Sequence, residues 1–345
     1  MKIINKVISK GFDHTYYSIR KKKTCSNIKT PDLFDGKEYS IDSFYKEYNK
    51  YFDTPDLFYT DFGGYKKYSF IDGEHFNKRY DKKTKDISFK NMLFDSPVKT
   101  GYPENDLVPF KYFTNEGKKS KTLLLFAPGW GRSNQMIEEY FCNILRESGI
   151  DSLLLTVPYQ QARTPAESYT GEYFISANVF WTISNFRHFV AEIRLLVQYM
   201  RNRYDKIGLI GMSSGGFITG LAAMVEDVDY LISFITGCEV GRITWEGLIT
   251  KEVRKDLIKK GLYENDLSKA WSISDQSYFS GKSSAKYYKH YVALYDDVIP
   301  TKYQMKLWEH YGKQDIMKLH NAHYSSIFSI KTVASDVVEF IKKCS

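Results

Sequence analysis

The stretch GLIGMSSGG, residues 208–216, decides how this chain is read. It contains G-x-S-x-G once, as Gly211-Met212-Ser213-Ser214-Gly215. Five letters are weak evidence, because a helix N-terminus favours small residues anyway. The flanks add weight. KIGLIGM (206–212) is an apolar run of strand length, and GGFITGLAAMV (215–225) is small and apolar enough for a buried helix. A serine on such a tight strand-to-helix turn sits in a strained backbone, and side chains at 211 and 215 would clash with the neighbouring strand and helix. The register separates the two serines. Were Ser214 the nucleophile, its first glycine would stand at 212, which is Met. Ser213 is therefore the candidate nucleophile. Ser214 opens the helix, where its backbone N–H can point at a developing oxyanion.

A serine hydroxyl needs a base. Seven histidines are present. In strand-loop-helix order the base follows the last strand, and DIMKLHNAHYSSIF (315–328) offers His320 and His323 there. His323 lies deeper in the loop, just ahead of the final helix, and is preferred. The imidazole in turn needs an acid to fix its tautomer. ALYDDVIP (293–300) supplies a strand end, two aspartates and a proline turn. Asp296 comes first after the strand and is the better candidate, with Asp297 the runner-up and Glu239 a weaker alternative. The second oxyanion donor should come from the turn APGWGRSNQ (127–135), with the N–H of Trp130 as the choice. In PYQQARTP (158–165), Tyr159 and Arg163 are candidates for lining the pocket, Arg163 to hold a substrate carboxylate or phosphate. A surface arginine is the equal alternative. Ser283-Ser284-Ala285-Lys286 matches S-x-x-K, but neither S-D-N nor K-T-G accompanies it.

Outward from these motifs the chain alternates. KTLLLFAP (121–128), DSLLLTV (151–157), KIGLIGM, YLISFITG (230–237), YVALY (291–295) and DIMKL (315–319) read as strands. Helical patterns lie between them. At 135–148, Met136, Tyr140, Phe141 and Leu145 form the expected apolar face. Residues 176–204 carry one apolar stripe through Ile183, Phe186, Val190, Ile193, Val197 and Met200. Residues 326–343 close the chain as a helix. Alternation of this kind predicts a mostly parallel sheet covered by helices on both faces. The segment 239–288 is too long for an ordinary connection and reads as a helical cap insertion. Its Trp245, Trp271, Tyr278 and Phe279 are either pocket lining or cap core. Residues 1–90, rich in Lys, Asp, Tyr and Phe, are expected to be an N-terminal extension packed on the core, with 91–345 as the main domain.

Composition excludes several classes. Apolar residues make up 43% of the 345, the mean hydropathy is −0.43, and no apolar run is long enough to cross a bilayer. The net charge of +8 comes from interspersed lysines and carboxylates, so no nucleic-acid partner is expected. The four cysteines form no C-x-x-C pair, which fits free thiols in the cytoplasm. MKIINKVISKGF (1–12) suits a short amphipathic helix and lacks a signal-peptide apolar region. With RKKK at 20–23 it has the makings of a membrane contact. Docking on the domain is the preferred reading. Oligomeric state is not legible.

LFAPGWG, GLIGMSSGG, ALYDDVIP and AHYSS, in that order over roughly residues 90–345, resemble the α/β-hydrolase superfamily, in the neighbourhood of dienelactone hydrolases and acylaminoacyl peptidases. The resemblance implies an eight-stranded sheet, a Ser213-Asp296-His323 triad and a cap after the sixth strand. By that alignment 121–127 is the third strand, 206–212 the fifth, and the first two lie within about 90–115. Pro128-Gly129 stands where the family has His-Gly, and Ala322 where it has a Gly before the base. The implied activity is a serine hydrolase acting on a small-molecule or acyl-chain ester or thioester, with no metal or organic cofactor. A peptidase, an acyltransferase, or a non-catalytic binding protein on the same fold is the alternative.

Overall fold

The computed structural model describes residues 2–20, 31–60, 63, 66, 68–73, 87–115, 120–279 and 283–344. Three helices come first: α1 (Lys2–Arg20), α2 (Ile41–Tyr48) and α3 (Pro55–Phe58). Then follow β1 (Ile71–Asp72), β2 (Lys90–Asp95), β3 (Leu107–Phe113), β4 (Thr122–Ala127), α4 (Met136–Glu147), β5 (Asp151–Leu155), α5 (Val179–Met200), β6 (Lys206–Met212) and α6 (Ser214–Val225). After β7 (Tyr230–Phe234) come α7 (Val240–Glu246), α8 (Lys251–Lys259) and α9 (Glu264–Ala270). The chain ends with β8 (Tyr287–Ala293), α10 (Thr301–His310), β9 (Asp315–Leu319) and α11 (Ile330–Lys343).

The described strands form one sheet in the order β1-β2-β3-β5-β4-β6-β7-β8-β9. It is antiparallel through β1, β2, β3 and β5, and parallel from β5 through β4 to β9. This is the mostly parallel sheet the sequence predicts. The two strands expected within 90–115 are β2 and β3. The two-residue β1 was not foreseen, since so short an edge piece has no pattern to read.

Buried parallel strands explain the unbroken apolar runs. In β4, Leu123, Leu125 and Ala127 face one cluster with Leu209 of β6, Ile183 of α5 and Leu221 of α6. Leu124 and Phe126 face the other, with Ile210, Phe141 of α4 and Val337 of α11. The period-two alternation thus assigns α5 and α6 to one face and α4 and α11 to the other. The chain steps from β4 outward to β5, then returns past β4 to β6. That reversal opens a crevice at the carboxyl ends of the strands, where ligands bind in such sheets.

One predicted face needs correction. Met136 and Tyr140 of α4 are each 38% exposed, while Glu138 and Glu139 are buried beside Phe141 and Leu145. The helix turns this way because Glu138 pairs with Arg132 at 3.2 Å and Glu139 with Lys111 at 2.6 Å. Two buried ion pairs hold a face that apolar spacing alone assigned elsewhere.

The N-terminal segment is tied to this sheet by carboxylates on free helix-end donors. Asp32 accepts the N–H groups of Val179, Phe180 and Trp181 at the start of α5, at 2.7, 2.8 and 3.1 Å. Phe34 packs against Phe44 and Phe58, and Phe44 lies 5.0 Å from Phe180 at the start of α5. Asp13 of α1 caps a second site, described below. Among the described residues no helix is long and apolar enough to cross a membrane. Val7 and Ile8 of α1 point outward at 66% and 65% exposure. Of the predicted basic patch, residues 21–23 lie outside the described residues, as do the side chains of Ile3 and Ile4.

Candidate active site

Strand β6 runs out at Met212, and α6 begins at Ser214. Ser213 joins them with φ 55° and ψ −124°, a region that disfavours a side chain by about 1–3 kcal/mol. The turn is held from both sides: the Ser213 N–H donates to Phe234 O at 2.9 Å, and the Gly216 N–H to Ser213 O at 3.0 Å. Only glycine fits the flanks. A Cβ on Gly211 would lie 2.3 Å from Gly216 Cα, and one on Gly215 would lie 2.1 Å from Ala127 O.

The Ser213 hydroxyl meets His323 Nε2 at 2.9 Å. On the other side of the ring, His323 Nδ1 meets Asp296 Oδ2 at 2.7 Å. Asp296 Oδ1 accepts the N–H groups of Val298 and Ile299, at 2.8 and 2.9 Å. Oδ2 also accepts from Gln304 Nε2 at 2.8 Å. These donors fix the carboxylate in direction. Burial disfavours the imidazolium, but the charge and hydrogen bond of Asp296, with Asp13 behind them, outweigh it and raise the His323 pKa above the ordinary 6.5.

The other candidates are engaged elsewhere. Asp297 turns outward and pairs with Lys10 at 2.7 Å. His320 bonds Tyr295 OH at 3.0 Å. Glu239 pairs with Lys306 at 2.6 Å and with Arg242 at 3.2 Å. None of these stands against Ser213.

A cavity of about 320 Å³ opens over Ser213 and His323. Trp130 and Ser214, the expected oxyanion donors, border it together with Gly129 and Arg132 of the Trp130 turn. Ser214, the first residue of α6, has no intrahelical acceptor for its N–H. The Trp130 ring is fixed by its Nε1 donating to Gly171 O at 2.6 Å. Much of the remaining lining is apolar, including Ile175, Phe217, Ile235, Val240, Ile243, Ile249 and Val298. Val240, Ile243 and Ile249 come from the segment between β7 and β8. The aromatic residues of that segment lie elsewhere. Trp271 and Phe279 are 1% and 2% exposed and belong to the core, with Trp271 Nε1 bonded to Val179 O at 3.1 Å.

Tyr159 and Arg163 do not line this cavity, contrary to the sequence reading. Arg163 is fully buried. Its guanidinium grips Glu192 of α5 at 2.7 and 2.8 Å and donates to the carbonyls of Thr156 and Asn105. Glu192 is in turn bonded to His188 Nε2 at 2.7 Å and Ser96 Oγ at 2.8 Å. Burial raises the Glu192 pKa, but Arg163 and His188 overcome it and bring the carboxyl down to about 2. Tyr159 is buried beside Tyr102, Tyr173 and Trp181. The loop after β5 is folded into the protein, so its arginine serves a buried ion pair.

Sequence reading missed two contributors. Gln304 lies in the first turn of α10 and binds the acid loop three ways, through Asp296 Oδ2, Ile299 O and the Ala293 N–H. A glutamine on an otherwise buried helix face is its only signal. Asp13 of α1, with no measurable exposure, accepts the backbone N–H groups of His323 at 2.9 Å and Tyr324 at 2.8 Å. Nothing local marks it.

The sequence profile of the family described as alpha/beta hydrolase domain containing 18 matches residues 75–326. Among solved structures, the acetyl xylan esterase from Paenibacillus sp. R4 is similar at TM-score 0.62 and 15% identity, over 85% of this chain and 94% of that one. The Pyrococcus horikoshii acylaminoacyl peptidase is similar at TM-score 0.55 and 14% identity, over 76% of this chain and 42% of that one. At these identities the likeness fixes the fold. A stretch of 99 residues, 29% of this chain, is 27% identical to uncharacterized protein YdjC of Bacillus subtilis (strain 168), 85% of which it covers.

Proposed function

The chain belongs to the family of alpha/beta hydrolase domain containing 18, and from that premise we propose that it is a serine hydrolase that cleaves a carboxylic ester or thioester. One observation carries the reading: an unbroken line of hydrogen bonds from Ser213 through His323 to Asp296, on a strained turn that opens into a largely apolar cavity. A binding scaffold has no use for all three groups in that order.

In this reading Ser213 Oγ attacks the carbonyl carbon as His323 Nε2 takes its proton. The carbonyl oxygen becomes an oxyanion, held by the N–H groups of Ser214 and Trp130, where each donor is worth roughly 10²–10³ in rate. Asp296 holds His323 with Nδ1 protonated, leaving Nε2 free to accept. Collapse of the intermediate expels the alcohol or thiol, which takes the proton from His323. Water, deprotonated by the same ring, then releases the acid from the acyl-enzyme. The apolar lining favours an apolar acyl group over a charged one. The thiols Cys142, Cys238 and Cys344 are unpaired, which supports a reducing, cytoplasmic setting.

The test is a fluorophosphonate probe on purified protein. Labelling of wild type that vanishes in Ser213→Ala supports the proposal. Folded wild type that takes no label overturns it.

A further inference from the structure

We propose that Asp13 is a positioning residue of this site: reaching across from α1, its carboxylate holds the base loop by its backbone so that the His323 ring stays aligned between Ser213 and Asp296. The inference rests on the serine-hydrolase reading above.

His323 occupies the N-cap position of a short 3₁₀ turn, Tyr324–Ser329, and its side chain makes no capping bond. It has none to give, because both ring nitrogens are engaged with Ser213 and Asp296. The free backbone donors at this turn therefore need an outside acceptor. Asp13 supplies both oxygens, Oδ2 to the His323 N–H and Oδ1 to the Tyr324 N–H, at 2.9 and 2.8 Å. Held at these two N–H groups, the backbone from which the imidazole projects is fixed in place.

The residues flanking Asp13 on α1, Lys10, Phe12 and Tyr16, fix it in place. Tyr16 lies 3.8 Å, centroid to centroid, from the ring of Tyr324. Phe12 meets Phe328 edge-on at 5.7 Å. Lys10 binds Asp297, the residue after the acid, and Tyr17 donates to Glu252 of α8 at 3.2 Å. One helix thus spans the acid loop, the base loop and the cap. Phe12 and Tyr16 also wall the cavity.

Docking a helix does not call for a buried carboxylate, which an apolar residue would replace with less desolvation. The charge therefore has a second effect. Asp13 faces His323 and Asp296; Lys10 and His14 flank it on its own helix, Asp297 lies on the acid loop, and Arg132 faces His323 from the turn after β4. Burial lifts the Asp13 carboxyl to about 6, against the pull of His323 and the two N–H groups. Above that pH its negative charge adds to that of Asp296 in favouring the imidazolium.

The experiment compares full-length wild type, Asp13→Asn, Asp13→Ala and Tyr17→Phe. The second-order labelling rate by a fluorophosphonate is followed across pH, with kcat and KM for p-nitrophenyl butyrate and a thermal melt of each variant. Asn keeps one carbonyl acceptor and the shape, so it should stay folded and lose roughly tenfold in rate. Its acid limb should shift to lower pH, because removing the negative charge lowers the His323 pKa. Ala should lose roughly 100-fold, in kcat more than in KM, through the freed loop. Tyr17→Phe loosens α1 at its other end and should stay within about twofold of wild type. Folded Asp13→Asn with wild-type rate and an unmoved acid limb overturns the proposal, and so does Tyr17→Phe losing as much as Asp13→Asn. If wild type takes no label, the serine-hydrolase reading itself falls, and this inference with it.

Discussion

Asp296→Asn should lower the rate by roughly 10⁴ while leaving the fold intact. The carboxylate accepts from both sides: Val298 and Ile299 N–H on Oδ1, Gln304 Nε2 and His323 Nδ1 on Oδ2. An amide has one acceptor and one donor end. If its oxygen stays toward His323, its NH₂ is driven against the two backbone N–H groups. If it flips, its NH₂ faces both Gln304 and His323, and the ring must accept at Nδ1. That tautomer carries its proton on Nε2 and cannot take one from Ser213. The backbone donors favour this flipped form, so the wrong tautomer dominates. A 10⁴ loss corresponds to about 5 kcal/mol on the barrier. The assay is kcat on p-nitrophenyl butyrate beside fluorophosphonate labelling. Asp297→Asn serves as the contrast. Asp297 is about one-third exposed and paired with Lys10, a contact worth about 1 kcal/mol or less, so its rate should fall no more than about fivefold. Asp296→Asn within tenfold of wild type, or Asp297→Asn as damaged as Asp296→Asn, would refute the reasoning.

The pH profile should follow His323. Its folded pKa is raised, so the acid limb of kcat/KM should fall above 6.5; a midpoint below 6 contradicts the geometry. The same shift has a sign for stability: its contribution is full below the ordinary 6.5 and is lost as pH rises through the raised value, readable in melts across that range. Gly215→Ala drives a Cβ to 2.1 Å from a backbone oxygen and should destabilise by about 3 kcal/mol or more, with loss of labelling; a wild-type melt would disprove the close approach. Arg163→Ala leaves Glu192 buried without its main partner and should destabilise by about 3–5 kcal/mol, measured by denaturant titration. A wild-type Cm with a raised KM would instead return Arg163 to substrate binding.

The lesson of Arg163 concerns what loops hide. PYQQARTP has no periodicity, so its sequence is equally consistent with a pocket rim or a buried clasp. The partner that decides between them, Glu192, is 29 residues away on α5. The turned face of α4 has the same cause, since Lys111 and Arg132 select Glu138 and Glu139 for burial through contacts that spacing cannot show. Of the cap aromatics, Trp271 and Phe279 went to the core, and the cap's Val240, Ile243 and Ile249 reached the cavity, for a packing reason: large rings fill the space between layers.

What the sequence determined by itself was the set of buried strands, their alternation with helices, and the turn at Ser213. These depend on short-range rules: strand period, strand length, and glycines where no Cβ fits. The sequence also ranked Asp296 and His323 by chain order. Tertiary structure alone decided which carboxylate reaches the ring, which residues line the cavity, and that the base loop is held from 310 residues away by Asp13. Hydrogen-bond direction and loop closure between distant segments leave no periodic trace in the chain, so they become visible only once it is folded.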